Sequence, residues 1–593
     1  MRLLAALCLF LSAFVTCQLR GEGLTLRRAS VGQKVKAFAV KDIRFVARQL
    51  SDFSEAKAFV LLFLDKDCPV AAKYVPRVEA LWKTYRPQGV VFLGIDSSPS
   101  DSLVELAAYA LEKKLSFPVY KDFDQSALRV LGVKRVPTAL VIDKKFILRY
   151  RGKVDDQFRV SGASPKKGRE YLDEAIRAVL EGQSPAVEET TVDGCLVSKI
   201  PPSSVAKATY SEHVLPLFQK RCQACHRPNQ AAPFSLLTYA DAADHAEMIL
   251  EVVTERRMPP SYHDLRYGAF ADHLALTRQE IDTVRTWVES GTPRGDPKLA
   301  PAAIDWPDGE WDIDEPDLVL SAAKPVKIPA TGYIPYEYVT MDYQFEHDVW
   351  INQIQILPGN RRVVHHANLL VRHPQNLFGD RFITGHVPGG DVTKYGPNAG
   401  IMIRKGSKVR LQIHYTTTGK PETDLTRVGF VFAKETVKRQ VRILFMINKF
   451  FAIPPHDPHF EVSCDGATGS SIVGLGLFIH MHLRGKDMTF FATYPDGKEE
   501  TLLSVPNYSF DWQLGYRWAD GKKFPKGTKF RTVSHYDNSK FNPFNPDPEV
   551  TVREGQQSYH EMNYGFLFYI DEKEDLGVEV DPKTGRPMKS KTD

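Results

Sequence analysis

The sequence predicts a multidomain chain: an α/β domain, then a small all-α domain, then two all-β sandwiches. Three observations carry this. Between residues 29 and 182, apolar β-rich runs alternate with amphipathic helical patterns. From 210 to 297 the patterns are helical alone. After Trp306, short alternating runs are cut by Gly, Pro and Asn turns. A length of 593 residues leaves room for roughly three to five domains. With 43% hydrophobic and 25% charged residues the chain is globular in composition, and a net charge of +5 over this length does not argue for nucleic acid.

Taken in order, residues 1–20 read as a signal peptide: Arg2 is followed by an apolar run at 3–15 too short to remain as a membrane span. This implies an exported protein, periplasmic or extracellular, with no transmembrane segment in the mature chain. Cys17 leaves a lipoprotein tether open, although Phe14, Val15 and Thr16 suit that signal poorly. In the α/β domain (29–182) the runs at 57–65, 89–96 and 138–152 read as strands, and 70–85, 103–114 and 171–180 as helices. Such alternation implies a sheet covered by helices. A Pro/Ser/Thr-rich linker spans 183–209. In the compact helical unit (210–297), Thr277 and Glu280 form a capping box, Ile281, Val284 and Val288 the buried stripe, and Gly291 the stop. The β texture divides into units at 306–440 and 441–571, and the polar tail at 572–593 is expected to be disordered.

Seven cysteines are too few for a disulfide-stapled scaffold. Cys222-Gln223-Ala224-Cys225-His226 is a CxxCH motif, the attachment signature of c-type haem, with His226 as proximal ligand. Met258, in the string RRMPP, is the candidate distal ligand, with His263 as fallback. His-plus-Met ligation suits electron transfer. The blander readings are a redox CxxC with an incidental His and a core methionine.

Two further constellations have metal-ligand chemistry. One is His365-His366 with His414; the other is His480-Met481-His482 with Met562. Imidazole suits copper, and a thioether favours Cu(I). In a strand, His480 and His482 point to one face. Adjacent His365 and His366 need a bulge or strand end to share an ion, and Pro358-Gly359-Asn360 just upstream makes irregular backbone reasonable. Taken singly, each histidine reads as an ordinary surface or core residue; the ordered set argues otherwise.

Residues 306–571 resemble the type II copper, ascorbate-dependent monooxygenases, the peptidylglycine α-hydroxylating and dopamine β-monooxygenases. The matching strings are VVHHANLLV, LQIHY, HMHLRGKDM and YHEMNYGFLFY. The resemblance implies two copper ions, one to each jelly-roll-like sandwich, facing one another across an open cleft. His365, His366 and His414 would hold the electron-transfer copper. His480, His482 and Met562 would be the catalytic set, holding the copper that binds dioxygen and substrate. The positions with which the peptide-directed enzyme grips a carboxylate are here Phe478, Tyr564 and Phe566, so the substrate is expected to be an aromatic or apolar small molecule. Most of the family's disulfide cysteines are also missing. Residues 210–297 resemble the short cytochrome c domains of bacterial multidomain proteins.

The N-terminal domain resembles the thioredoxin-like redoxins, on the strand KAFVLLFLD, on Cys68-Pro69 opening a helix, and on Val136-Pro137-Thr138. In that fold the latter proline is cis and faces the redox cysteine. A helix N-terminus lowers a thiol pKa, and Lys66 would add to this. Ala71 stands where a second CxxC cysteine would be, and the peroxiredoxin Pro-x-x-x-Thr is absent. Cys195 could resolve a Cys68 disulfide, with Cys464 the weaker candidate. The leading expectation is an exported copper monooxygenase that hydroxylates a small organic substrate with O2, an external donor supplying electrons through the fused haem. The alternatives are a non-oxygenating electron-transfer or copper-handling protein, and a thiol oxidoreductase using Cys68.

Overall fold

The computed structural model describes residues 29–588 apart from 160–161, 164–167, 229, 231, 272–273, 307–309, 377–378 and 388–391. The expected signal peptide (1–20) and Cys17 lie outside the described residues. Among the described residues no helix is long and apolar enough to cross a membrane.

The N-terminal domain is thioredoxin-like. Its sheet runs in the order Ala47–Arg48, Val40–Lys41, Val119–Lys121, Val90–Asp96, Ala58–Leu64, Thr138–Asp143, Leu148–Gly152. Ala58–Leu64 lies parallel to Val90–Asp96 and antiparallel to Thr138–Asp143, and all its residues are buried. A continuous apolar run is what a strand covered on both faces requires. The run at 138–152 divides into two antiparallel strands. Helices Pro69–Tyr85, Leu103–Glu112 and Tyr171–Leu180 cover the sheet, the second opening on a capping box between Ser102 and Glu105.

The segment 183–209 is less of a linker than its composition suggests. Cys195–Leu196 pairs antiparallel with Arg135–Val136, and the Thr190 hydroxyl accepts from the Lys153 amide at 2.8 Å. These bonds use backbone and hydroxyl groups, so no hydrophobic period announces them.

The helical unit begins with a π-helical turn, Tyr210–Val214, continuing as Leu215–Arg221, and adds Tyr239–Asp244, Ala246–Thr254 and Arg278–Glu289. Trp287, fully buried, centres its core with Phe218 and Val284. The Thr277–Glu280 capping box forms. The unit is not compact throughout: after Met258 the chain leaves the helices and lies on the second sandwich. There Phe270 bridges Trp518, and the Asp264 amide donates to the Ser504 carbonyl at 2.8 Å. Aromatic stacking of Phe270 on Tyr516 and Trp518 holds it.

A large all-β region follows as two sandwiches, each with its own apolar core. In the first, Val349–Leu357 and Arg427–Phe432 centre one sheet, and Glu337–Gln344, Lys408–Tyr415, Val364–Arg372 and Arg381–His386 form the other. Arg439–Gln440 still pairs with the first sandwich, and Arg442–Ile447 opens the second. The second packs the sheet Arg442–Ile447, Tyr564–Asp571, Ile472–His480, Gly515–Phe524 against Phe460–Ala467, Lys529–Tyr536, Gly485–Thr493, Glu499–Val505. The expectation of a disordered tail does not hold up to Met588. Val578 bridges Val437, Val580 is buried against Trp350, and the Trp350 amide donates to the Gly585 carbonyl at 2.9 Å. Two valines in a polar stretch suffice because a buried tryptophan meets them. Residues 589–593 lie outside the described residues.

Candidate metal centre between the sandwiches

Val364–Arg372 and Lys408–Tyr415 are neighbours in one sheet, with His366 opposite His414. The register shifts between Val364 and His366, the local irregularity that lets consecutive histidines serve one point. His365, His366 and His414 each bring a ligand atom to a cluster within 4.8 Å. His365 Nδ1 and His366 Nδ1 stand 3.1 Å apart, and His414 Nδ1 is buried without a hydrogen-bond partner among the described residues. His365 Nε2 lies 3.2 Å from Asp511 Oδ1, a carboxylate that orients the ring from outside.

His480 ends the strand Ile472–His480 and pairs with Tyr564, so Met562 lies two residues before the neighbouring strand. Each imidazole of the His-x-His pair has one nitrogen engaged. His480 Nδ1 meets Gln513 Oε1 at 2.5 Å, and His482 Nδ1 meets the His560 carbonyl at 3.3 Å. Engaging one nitrogen presents the other, and His482 Nε2 is buried without a partner among the described residues. Glu561 ties the two segments together. Its buried carboxylate accepts the amides of His482 at 2.8 Å, Arg484 at 2.6 Å and Met562 at 3.2 Å. Burial pushes its carboxyl up to about 7, while these three donors pull the other way.

The two histidine sets do not face each other across an open cleft. The His366 and His480 rings are 6.2 Å apart. Tyr336 packs on His366, His414 and His482, and Phe510 on those three and His365. Aromatic rings from both sandwiches close the space. Beside it, Phe566 packs between Phe382 of the first sandwich and Phe478. A cavity of about 450 Å³ opens there, lined by Phe382, Phe478, Gln513, Tyr516 and Phe568. Tyr564 reaches instead to Glu554, at 2.9 Å.

Burial, reinforced by the neighbouring imidazoles, holds His366 and His482 well below their ordinary 6.5 and brings His414 down to about 3; burial alone brings His480 down to about 4. These rings are neutral, ligand-ready bases at pH 7. Between about pH 3 and 6.5 the unfolded chain binds protons that the folded chain refuses, so stability rises with pH across that window. The four rings together outweigh the Glu561 carboxyl, which works the opposite way between about 4.5 and 7, so the metal-free protein is expected to lose stability progressively in acid. Urea midpoints at pH 7.5, 6 and 5 check this; an unchanged midpoint would contradict it.

In the N-terminal domain Cys68 caps helix Pro69–Tyr85 and is buried, its Sγ 3.5 Å from the Val136 carbonyl. The Val136–Pro137 bond is cis. Cys195, opposite Val136 in the register, is disulfide-bonded to Cys68 with a Cα–Cα distance of 6.0 Å. Cys464 is a free thiol in the second sandwich. Lys66 is paired with Asp67 and Asp101.

The amides of Cys225 and His226 turn back onto the Cys222 carbonyl at 3.1 and 2.9 Å. His226 Nδ1 meets the Phe234 carbonyl at 3.1 Å, leaving Nε2 for a ligand. Two thiols and a pre-oriented imidazole on one turn fit the donor set of a c-type haem. Burial pushes the Cys222 thiol up to about 12. Met258 and His263 line a cavity of about 370 Å³ against Lys66, Glu105 and Tyr109 of the N-terminal domain. His226 packs instead on Phe234, which stacks on His245 at 4.0 Å.

Sequence patterning missed Tyr336, Phe510, Gln513 and Glu561. Only Glu561, directly before Met562 in the matched string, carried a signal.

Comparison with known proteins bears on the N-terminal domain. Residues 31–151 match the AhpC/TSA family, so this part of the chain is a redoxin domain of thioredoxin-like type. Thiol-disulfide oxidoreductase ResA of Bacillus thuringiensis subsp. konkukian is 27% identical over 117 residues, 20% of this chain and 66% of that protein. ResA of Halalkalibacterium halodurans is 24% identical over 116 residues, 20% of this chain and 64% of that protein. The chain thus spans less than two thirds of these relatives' length. Among solved structures, an uncharacterized conserved protein from Geobacillus kaustophilus is 26% identical, covering 29% of this chain and 93% of that one, with a TM-score of 0.27. A thiol:disulfide interchange protein DsbE from Chlorobium tepidum is 18% identical, covering 26% and 97%, with a TM-score of 0.21.

Proposed function

We propose that the chain is an exported copper-dependent monooxygenase that hydroxylates an aromatic or apolar small molecule. The observation that carries the reading is the convergence of five imidazoles from two sandwiches. Three share one 4.8 Å cluster, and His414 Nδ1 and His482 Nε2 are buried without partners among the described residues. Buried nitrogens of this kind are costly unless something binds them. His365, His366 and His414 would hold one copper, and His480, His482 and Met562 the other. Copper there supplies one-electron chemistry and O2 binding; haem held by Cys222, Cys225 and His226 supplies one-electron transfer. The residues do the rest. Gln513 and Glu561 fix the ring and backbone at the second set, Tyr336 and Phe510 exclude water, and Phe382, Phe478 and Phe568 offer an apolar wall to the substrate. Hydroxylation places one oxygen atom of O2 in the C–H bond and the other in water, consuming two protons and two electrons from an external donor. Copper-loaded, reduced protein supplied with ¹⁸O₂ and a panel of phenyl-bearing metabolites is expected to give a singly labelled alcohol. Oxygen uptake without label in any organic product would leave an electron-transfer or copper-handling protein instead.

A second reading, thiol–disulfide exchange at Cys68, is supported by its disulfide with Cys195 and by the similarity to the ResA proteins. In exchange, an external thiolate attacks one sulfur of the pair and the other leaves as thiolate. Cys68→Ser should then abolish reduction of the oxidised chain by a dithiol and free Cys195 to thiol reagents, with the ¹⁸O₂ reaction unchanged. Equal dithiol oxidation by the variant would refute it.

A further inference from the structure

The second sandwich carries metal-binding side chains outside the histidine sets of the interface. Phe460–Ala467, Lys529–Tyr536 and Gly485–Thr493 are adjacent strands, and the register sets His535 between Glu461 on one side and Asp487 on the other. Directly opposed residues share a face of the sheet. His459, just before the first strand, joins them: ligand atoms of His459, Asp487 and His535 all lie within 4.8 Å of one another. The two imidazoles stack at 4.0 Å, and His535 Nδ1 is 2.7 Å from Asp487 Oδ1.

Asp487 is only 1% exposed, yet its Oδ2 has no hydrogen-bond partner among the described residues. A buried carboxylate oxygen with idle lone pairs calls for a cation. Lys486, across a register shift between Gly485 and Asp487, puts its Nζ 3.1 Å from His459 Nδ1, and the Asp487 charge acts on it. Two histidines and a carboxylate are a nitrogen–oxygen donor set for a borderline divalent ion, as in zinc sites with three protein ligands and one open position.

We propose that His459, Asp487 and His535 form a further metal site, for a divalent ion of the zinc type, in which the Lys486 ammonium stands in for the metal when none is bound. On binding, one of the parallel rings turns about χ2, a soft torsion, so that both nitrogens converge. Lys486 withdraws toward Asp457 and Asp537, whose charges already act on it. His459 and Asp487 line a cavity of about 530 Å³ shared with Arg44, Trp82 and Phe117 of the redoxin domain. The open coordination position therefore faces the seam between the two domains.

The test is zinc stoichiometry and affinity on the full chain, by elemental analysis after gel filtration and by competition with a chromophoric chelator. His535→Ala and Asp487→Asn are each expected to bind one zinc fewer per chain than the parent, while His366→Ala keeps this site. Lys486→Met removes the competing cation and should tighten zinc binding at this site roughly tenfold or more. A gain of affinity cannot come from misfolding, so this arm stands if a ligand variant fails to fold. Equal zinc in the parent and both ligand variants, or unchanged or weaker binding in Lys486→Met, would overturn the site.

Discussion

Met562→Ala is expected to abolish hydroxylation while leaving copper bound and reducible at His365, His366 and His414. The backbone around Met562 is fixed independently of its side chain. Its amide donates to Glu561, and its carbonyl accepts from the Tyr536 hydroxyl at 2.8 Å. The substitution therefore removes a thioether and little else, apart from a buried volume worth about 2–5 kcal/mol of stability. Loss of even an outer partner of a metal ligand typically costs 10–100-fold, and loss of a ligand itself should exceed that, so turnover should fall by more than about 100-fold. Two measurements separate the effect from misfolding. Copper bound per chain should stay at or near the parent's value, and the electron paramagnetic resonance signal of the triad should still be lost on reduction. Full turnover in the variant would sink the assignment of Met562.

How much of this could be read from the residues depended on the range over which each interaction acts. Strand Ala58–Leu64 and helix Pro69–Tyr85 were legible because burial on both faces, or on one stripe, writes a period into the chain. The pairing of Cys195–Leu196 with Arg135–Val136 left no such mark, being made by backbone groups across some 60 residues of sequence. At the interface the histidines and Met562 were legible by type and order. The contact between His366 and His480 was not, because it depends on how two independently folded sandwiches meet. The same holds for Phe510 and Tyr336, whose sequence surroundings are those of any core aromatic. Met258 shows a signal of another kind. Its Met-Pro-Pro string suggested a haem ligand and gave no sign of the cavity it lines with Glu105 and Tyr109 of the redoxin domain, because the segment after it follows the second sandwich rather than the helices.

Glu561→Ala is expected to be the most destabilising single change in the second sandwich, by about 3–6 kcal/mol. Three buried amides, of His482, Arg484 and Met562, would lose their acceptor at once, and each orphaned donor costs about 1–3 kcal/mol before any water relieves it. The charge itself is balanced at a distance. Arg484, also fully buried, directs its guanidinium away to Asn538 Oδ1 at 2.8 Å and to the carbonyls of Tyr559 at 2.9 Å and Asp547 at 3.2 Å. Carboxylate and guanidinium are thus each solvated by fixed dipoles, an arrangement in which removing one charge strands the other. Glu561→Gln keeps the shape and one acceptor oxygen, so its loss should be smaller, about 1–3 kcal/mol. Because the same carboxylate sets the backbone of His482 and Met562, copper affinity at that set should fall in the order parent, Gln, Ala, while the His365 cluster is unaffected. Denaturant midpoints together with copper titrations check both effects. An Ala variant as stable as the Gln variant, or one losing stability with no change in copper affinity, would show that Glu561 does not position these residues.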